Sequence, residues 1–190
     1  MKETENQRVR LSKKLLKDSL IKLLNEKSIH KVSVIEICNE AQINRTTFYK
    51  YYGGQYDLLN DMENDVLTHI NNYLSDNIAY TGNVLQRIIK IISFINDNID
   101  LCRTLFDNNI DPDFPEKMFN LPNMKQLELE YGGHSSAYIF NFVTDGSFSI
   151  IRRWMNKENR EPPEEIANLF NSIIIKLLPN VNFDLTSPQA

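Results

Sequence analysis

Only two cysteines occur among the 190 residues, Cys38 and Cys102, and neither sits in a CxxC pair or a Cys/His cluster. That spacing excludes a disulfide scaffold and a structural zinc site, and it points to a reducing, cytoplasmic setting. Glycine and proline are scarce, at six and seven. Their scarcity excludes collagen-like and low-complexity classes and favours helices. Charged or polar residues interrupt each apolar stretch before membrane-spanning length, and the polar start Met1-Lys2-Glu3-Thr4-Glu5 has no apolar signal-peptide core. A soluble chain with no membrane association is the expectation. No Gly-rich phosphate loop and no GxSxG elbow occurs, so neither nucleotide nor serine-hydrolase chemistry is indicated.

What remains is an ordinary globular composition, 42% hydrophobic and 24% charged, with enough chain for a real core. The net charge of −4 excludes a protein that coats nucleic acid along its whole surface. The charge is unevenly placed. Residues 1–60 carry eleven Lys/Arg against seven Asp/Glu, whereas the remaining residues carry ten against eighteen. A basic head joined to an acidic body is the pattern of a protein that meets a polyanion at one end.

Apolar residues recur at helical spacing from Leu11 to Glu26 through Leu11, Leu15, Leu16, Leu20, Leu23 and Leu24. Ser33-Val-Ile-Glu36 reads as a capping box that opens a short second helix. Asn44 caps a third, Arg45–Tyr52, stopped by Gly53-Gly54. A longer helix over Gln55–Asn77 connects head to body, and the very apolar Asn83–Asp97 predicts a helix buried on several sides. Prolines break residues 99–133 into short helices, of which Leu101–Phe106 is one; two long helices follow, over about 136–157 and 163–178. The fold class is all-α with about nine helices. It divides into a head at 1–56 and a body at 57–190.

Helix, tight turn, helix, with the second helix opening on small polar and basic residues, is the arrangement of a DNA-reading helix-turn-helix. Arg45, Thr46 and Thr47, opening behind Asn44, are placed to reach base edges: Arg pairs bidentately with guanine, and Thr offers a hydroxyl or a methyl. Tyr49, Lys50 and Tyr51 suit phosphate oxygens. Ser33 and the N–H groups behind it face a phosphate, while Arg8, Arg10, Lys13 and Lys14 add sequence-independent attraction. Phe48, Ile43 and Val34 belong to the core of the three-helix unit.

At these residues the chain closely resembles the TetR family of bacterial transcriptional regulators. The stretch Ala41-Gln-Ile-Asn-Arg-Thr-Thr-Phe-Tyr-Lys-Tyr-Tyr-Gly-Gly-Gln-Tyr-Asp-Leu-Leu59 is similar to that family's recognition-helix signature, and the likeness covers roughly residues 8–60. It departs in having Tyr51-Tyr52 where the family often has His-Phe, and Gln55 where a lysine is usual. Tyr138 to Trp154, with Arg152-Arg153 and the following Pro162-Pro163, is similar to a C-terminal domain common in Firmicutes members. The resemblance implies a homodimer joined through the last two long helices and bound to a near-palindromic double-stranded operator. It also implies control by a small-molecule effector, with Phe94, Phe106, Tyr138 and Phe142 as lining residues, or by a partner protein docked on the body. Trp154 is placed either in that lining or at the dimer contact. Repression is the expected sign, with activation as the alternative, and no cofactor or catalytic residue is expected.

One constellation points elsewhere. Asp61, Asp65 and His69 share a helix face at i, i+4 and i+8, a spacing that can serve a metal or an ordinary solvated surface. With no matching ligands on a second helix, no metal site is assigned. His30 and His134 lie beside loops, remote from any nucleophile motif.

Overall fold

Residues 2–10 are mostly unbranched helix formers, and helix α1 accordingly covers Lys2–Leu24, starting nine residues before the expected Leu11. Polar residues of good intrinsic propensity extend a helix without leaving an apolar period. The buried stripe of α1 is Leu16, Ser19, Leu20 and Leu24. Leu11 and Leu15, expected on that stripe, are exposed, because each residue turns the helix by about 100° and the inner face is set by the neighbours of Leu16. The computed structural model describes residues 2–75, 84–106, 110–111, 113–119, 121 and 134–177.

A 3-10 turn at Ile29–Lys31 leads into α2 (Val34–Ala41), which packs on α1; α3 (Arg45–Tyr49) packs on α2. α3 is shorter than the expected Arg45–Tyr52. Its last turn tightens instead, with the Tyr51 and Tyr52 N–H groups both donating to the Phe48 carbonyl at 2.9 and 3.0 Å. Phe48, fully buried, shares one apolar cluster with Leu16, Leu20 and Ile37. Next, α4 (Gln55–Ser75) buries Leu58, Leu59, Met62, Val66 and Ile70 at helical spacing and touches α1 at one side and the body at the other.

The helices that follow α4 are α5 (Val84–Asp97), α6 (Ile99–Leu105), α7 (Phe114–Phe119), α8 (His134–Met155) and α9 (Pro163–Leu177). The described residues therefore form nine α-helices and no strand, an all-α fold. None of these helices is long and apolar enough to cross a membrane. α5 packs chiefly on α9 and also on α4 and α6. Burial on several sides was the expectation for α5; among its described residues Arg87, Ile92 and Ile95 are buried, and Leu85, Ile88, Ile89, Ile91 and Phe94 are partly covered. Gly132-Gly133, Pro179 and the polar tail lie outside the described residues.

Polar contacts fasten these helices at their ends. Arg103 on α6 donates from Nε and Nη2 to the Met155 carbonyl, at 2.8 and 2.5 Å, so a cation meets the negative end of α8. Trp154 Nε1 donates to the Glu161 carbonyl at 2.9 Å, and its ring is 1% exposed. Trp154 thus belongs to the chain's own core. Cys38 and Cys102 are both free and buried, and burial pushes the Cys102 thiol up to about 12.

Between α4 and α7 sits a buried charge cluster. Lys117 Nζ bonds Glu63 Oε2 at 2.5 Å and Asp111 Oδ2 at 2.6 Å, and Glu63 is only 2% exposed. Burial pushes the Glu63 carboxyl up to about 7, with Lys117 opposing and Asp111 adding to the shift. Folded Glu63 therefore holds a proton that the unfolded chain releases near 4.5, and its favourable term is lost as pH rises from there through 7. Between about pH 5 and about pH 7.5 the protein should lose about 2 kcal/mol of stability relative to Glu63→Gln. Urea unfolding of both proteins across that range measures the difference; parallel pH profiles would refute it.

Candidate nucleic-acid interface

The helix-turn-helix is held by caps at both helix starts. Glu36 N–H donates to Ser33 Oγ at 3.3 Å, and Glu36 Oε2 accepts from the Ser33 N–H at 3.0 Å and from its hydroxyl at 2.8 Å. The capping box read from the sequence is present. It has a consequence for Ser33: the hydroxyl proton points at Glu36. Lys27, bonded to Glu36 at 2.5 Å, and the Ser33 donors hold that carboxyl down at about 2. A firmly ionised carboxylate thus occupies the N-terminus of α2.

The turn passes through Gln42, whose φ of 55° and ψ of 39° are left-handed, and closes with the Ile43 N–H donating to the Cys38 carbonyl at 2.9 Å. A side chain there carries steric strain that glycine would avoid. Asn44 then caps α3, its Oδ1 accepting from the Thr46 N–H at 3.0 Å and from the Thr46 hydroxyl at 2.6 Å. Beyond the cap Arg45, Thr46, Tyr49 and Lys50 are exposed, as is Asn44 itself, while Thr47 and Tyr51 are partly buried. Lys50 Nζ lies 5.9 Å from the centre of the Tyr51 ring, which leans on the apolar cluster. Among the exposed members Arg45, Tyr49 and Lys50 offer donors, and Arg45 and Lys50 the positive charge, that DNA requires, whereas the Thr46 hydroxyl already donates to Asn44.

Three residues beyond α3, Tyr52 is buried and donates its hydroxyl to Asp61 Oδ2 at 2.7 Å. Burial, aided by Asp61, raises the Tyr52 phenol above its usual range. Lys17 of α1 reaches Asp61 at 2.8 Å and Asp65 at 2.5 Å, and Lys13 lies 3.7 Å from Asp61 and 5.2 Å from the centre of the Tyr52 ring. Burial alone would raise Asp61; the Lys17 and Tyr52 bonds hold it below the carboxylate range. Lys13 and Lys17 are engaged with α4, while Arg8, Arg10, Lys14 and Lys22 are exposed on α1, Lys22 paired with Glu40 of α2 at 2.8 Å. Sequence reading missed this joint. Its only trace was two matching i, i+4 pairs, Lys13/Lys17 and Asp61/Asp65, with nothing to say that their helices face each other.

The same contacts account for the acidic face of α4. Asp61 and Asp65 hold Lys17, and His69 stacks on Phe94 with ring centres 4.9 Å apart. Among the described residues no group of three or more His, Cys, Asp or Glu is placed to hold a metal ion.

The four residues expected around an effector occupy different environments. Phe106 is 1% exposed and packs on Phe114 and Phe148, each with ring centres 5.4 Å away. Phe94 is half-buried against His69 and Tyr73. Tyr138 and Phe142 are 78% and 69% exposed on α8, and Leu169 and Ile175 are exposed on α9. A separate cleft of about 580 Å³ opens between α1, α4 and the α5–α6 turn, with Lys14, Lys17, Asp61, Asp65 and Asp97 in its walls. Its lining mixes these charges with Ile21, Met62, Ile99 and Leu101 and includes no aromatic ring.

Residues 18–62 match the family model described as bacterial regulatory proteins, tetR family, and residues 82–176 match one described as a transcriptional regulator C-terminal region. The chain is 28% identical over 180 residues to the HTH-type dhaKLM operon transcriptional activator DhaS of Lactococcus lactis, covering 90% of this chain and 91% of that one. It is 21% identical over 165 residues to the HTH-type transcriptional regulator YxbF of Bacillus subtilis, covering 80% of this chain and 42% of that one. The chain thus spans less than half the length of that second relative. In structure it is similar to a TetR transcriptional regulator from Streptococcus agalactiae, with a TM-score of 0.63 at 16% identity over 92% of this chain and 99% of that one. It is also similar to the dihydroxyacetone kinase operon activator DhaS, with a TM-score of 0.53 at 22% identity over 90% and 96% of the two chains.

Two substitutions test the local physics. Gln42→Gly should raise stability by about 0.5–1 kcal/mol, because relief of the left-handed strain outweighs the added freedom of the unfolded chain; an unchanged or lowered urea midpoint counts against it. Tyr52→Phe keeps the ring and removes the bond to Asp61, and should cost about 1–2 kcal/mol. A thermal shift within error of wild type would mean that the joint does not depend on the phenol.

Proposed function

Because the chain belongs to the tetR family of bacterial regulatory proteins, we propose that it binds a near-palindromic operator as a homodimer and represses by occluding a promoter. The observation that carries this reading is α3: capped by Asn44, it presents Arg45, Thr46, Tyr49 and Lys50 together on an exposed face of the basic head. Arg45, Thr46 and Thr47 are assigned to base edges. Tyr49, Lys50 and Tyr51 are assigned to the backbone, with the N–H groups behind Ser33 at the start of α2. The head is residues 1–56 and the body 57–190.

The body is assigned to dimerisation and control. Exposed Tyr138, Ile139 and Phe142 on α8 and Leu169, Ile175 and Leu177 on α9 favour a contact between two copies through these helices. The exposure of Tyr138 and Phe142 favours that contact over an effector lining, and leaves Phe94 and Phe106 as the interior residues for a ligand. Two heads would then sit about 34–36 Å apart, or a multiple of that, along the DNA. A small molecule that prefers one body conformation shifts operator affinity by its differential affinity for the two states. No catalytic group or cofactor enters this proposal.

A second reading makes the chain an activator whose body docks a partner protein. It is favoured by the likeness to DhaS, named as an operon activator, over nine-tenths of both chains. Fluorescence anisotropy on DNA tiled across the chain's own upstream region, at near-physiological salt, tests the common premise. One tile should bind at least about a thousandfold tighter than shuffled DNA. On that tile Arg45→Ala should cost about 1–3 kcal/mol and relax base preference at one position. Equal, weak binding to all tiles would overturn operator recognition by the head alone.

A further inference from the structure

Asn44 does more than start α3. The Thr46 N–H can only donate, so the Asn44 atom 3.0 Å from it is the amide oxygen, and the orientation of the amide is settled. That oxygen can only accept. The Thr46 hydroxyl, 2.6 Å from the same oxygen, therefore spends its single proton on Asn44 and has none to give to DNA. Chirality at Cβ then fixes the methyl once Oγ1 is fixed, and the branched side chain has few other rotamers. Oγ1 is drawn back against the cap, so the methyl is the free surface of an exposed residue in the first turn of α3.

From this geometry we infer that Thr46 reads a thymine by methyl-to-methyl contact, with Asn44 as the positioning residue; the inference rests on the DNA-binding reading above. In the major groove the N7, O6 and O4 acceptors call for a donor that Thr46 no longer has, and the N6 and N4 amino groups call for an oxygen that is drawn back against Asn44. The C5-methyl of thymine is the one apolar feature displayed there. Arg45, exposed beside it, keeps its donors and takes the hydrogen-bonding role.

Replacing each operator thymine in turn by uracil removes only that methyl and leaves the protein untouched. Wild-type protein should lose affinity about three- to fivefold at one thymine per half-site, the worth of one buried methyl group. Thr46→Ser keeps the hydroxyl bond to Asn44 and should be indifferent to uracil at that position. Asn44→Asp keeps the accepting oxygen and should retain the uracil penalty. Wild-type binding indifferent to uracil at every thymine, or a penalty that survives in Thr46→Ser, overturns the methyl contact while leaving DNA recognition standing. Absence of any preferred DNA sequence overturns both.

Discussion

The joint between α1 and α4 is the contact on which the rest of the molecule depends. Asp61 receives Lys17 at 2.8 Å and the Tyr52 hydroxyl at 2.7 Å, and Tyr52 stands three residues beyond the end of α3. The orientation of the helix that presents Arg45 and Thr46 is therefore fixed to α4 by a short bonded path. Such a path is strong because Tyr52 is 4% exposed, so its phenol would be left unpaired if the joint opened. An exposed ion pair of the same kind would be worth little.

The opposite side of α4 carries the second anchor. Glu63 follows Asp61 by two residues, about 200° around the helix, so while Asp61 and Asp65 face α1, Glu63 faces α7 and meets Lys117. Within two turns the same helix is tied by polar side-chain bonds to α1 on one side and to α7 on the other. A rotation of α4 that brought one set closer would draw the other apart, and each involves a buried or half-buried group that cannot simply exchange its partner for water. α4 thus acts as a rigid member shared by both units, which is the physical content of calling it the connection between them.

Local chemistry was the legible part of the sequence. The Ser33 capping box and the Asn44 cap each follow from residues within three positions of one another, and both are present. The all-α class followed from periodicity and the scarcity of breakers. What lay beyond reading was the choice of face. Leu11, Leu15 and Leu16 are the same residue type on one amphipathic stretch, yet only Leu16 is buried, because that depends on where Phe48 and Ile37 come to lie. Phe106 and Phe142 are likewise the same side chain at helical spacing, and one is buried and the other exposed. The charged joint was hidden for the same reason: two matching i, i+4 pairs do not say that their helices meet, and a pairing over forty-eight positions, as between Lys17 and Asp65, is set by the fold.

The caps also apportion the work of meeting a polyanion. At the start of α2 the ionised Glu36 already answers the helix dipole, and its negative charge opposes a phosphate there despite the nearby Lys27. At the start of α3 the cap is neutral, because Asn44 supplies an amide oxygen and no net charge. The start of α3 therefore carries no anion to oppose the charge of Arg45, with Lys50 one turn on, and the approach of a phosphate backbone is favoured at α3 over α2. Two caps equally good at satisfying backbone donors differ in the field they leave outside, and that difference directs the basic head's attraction to the helix that carries Arg45 and Lys50.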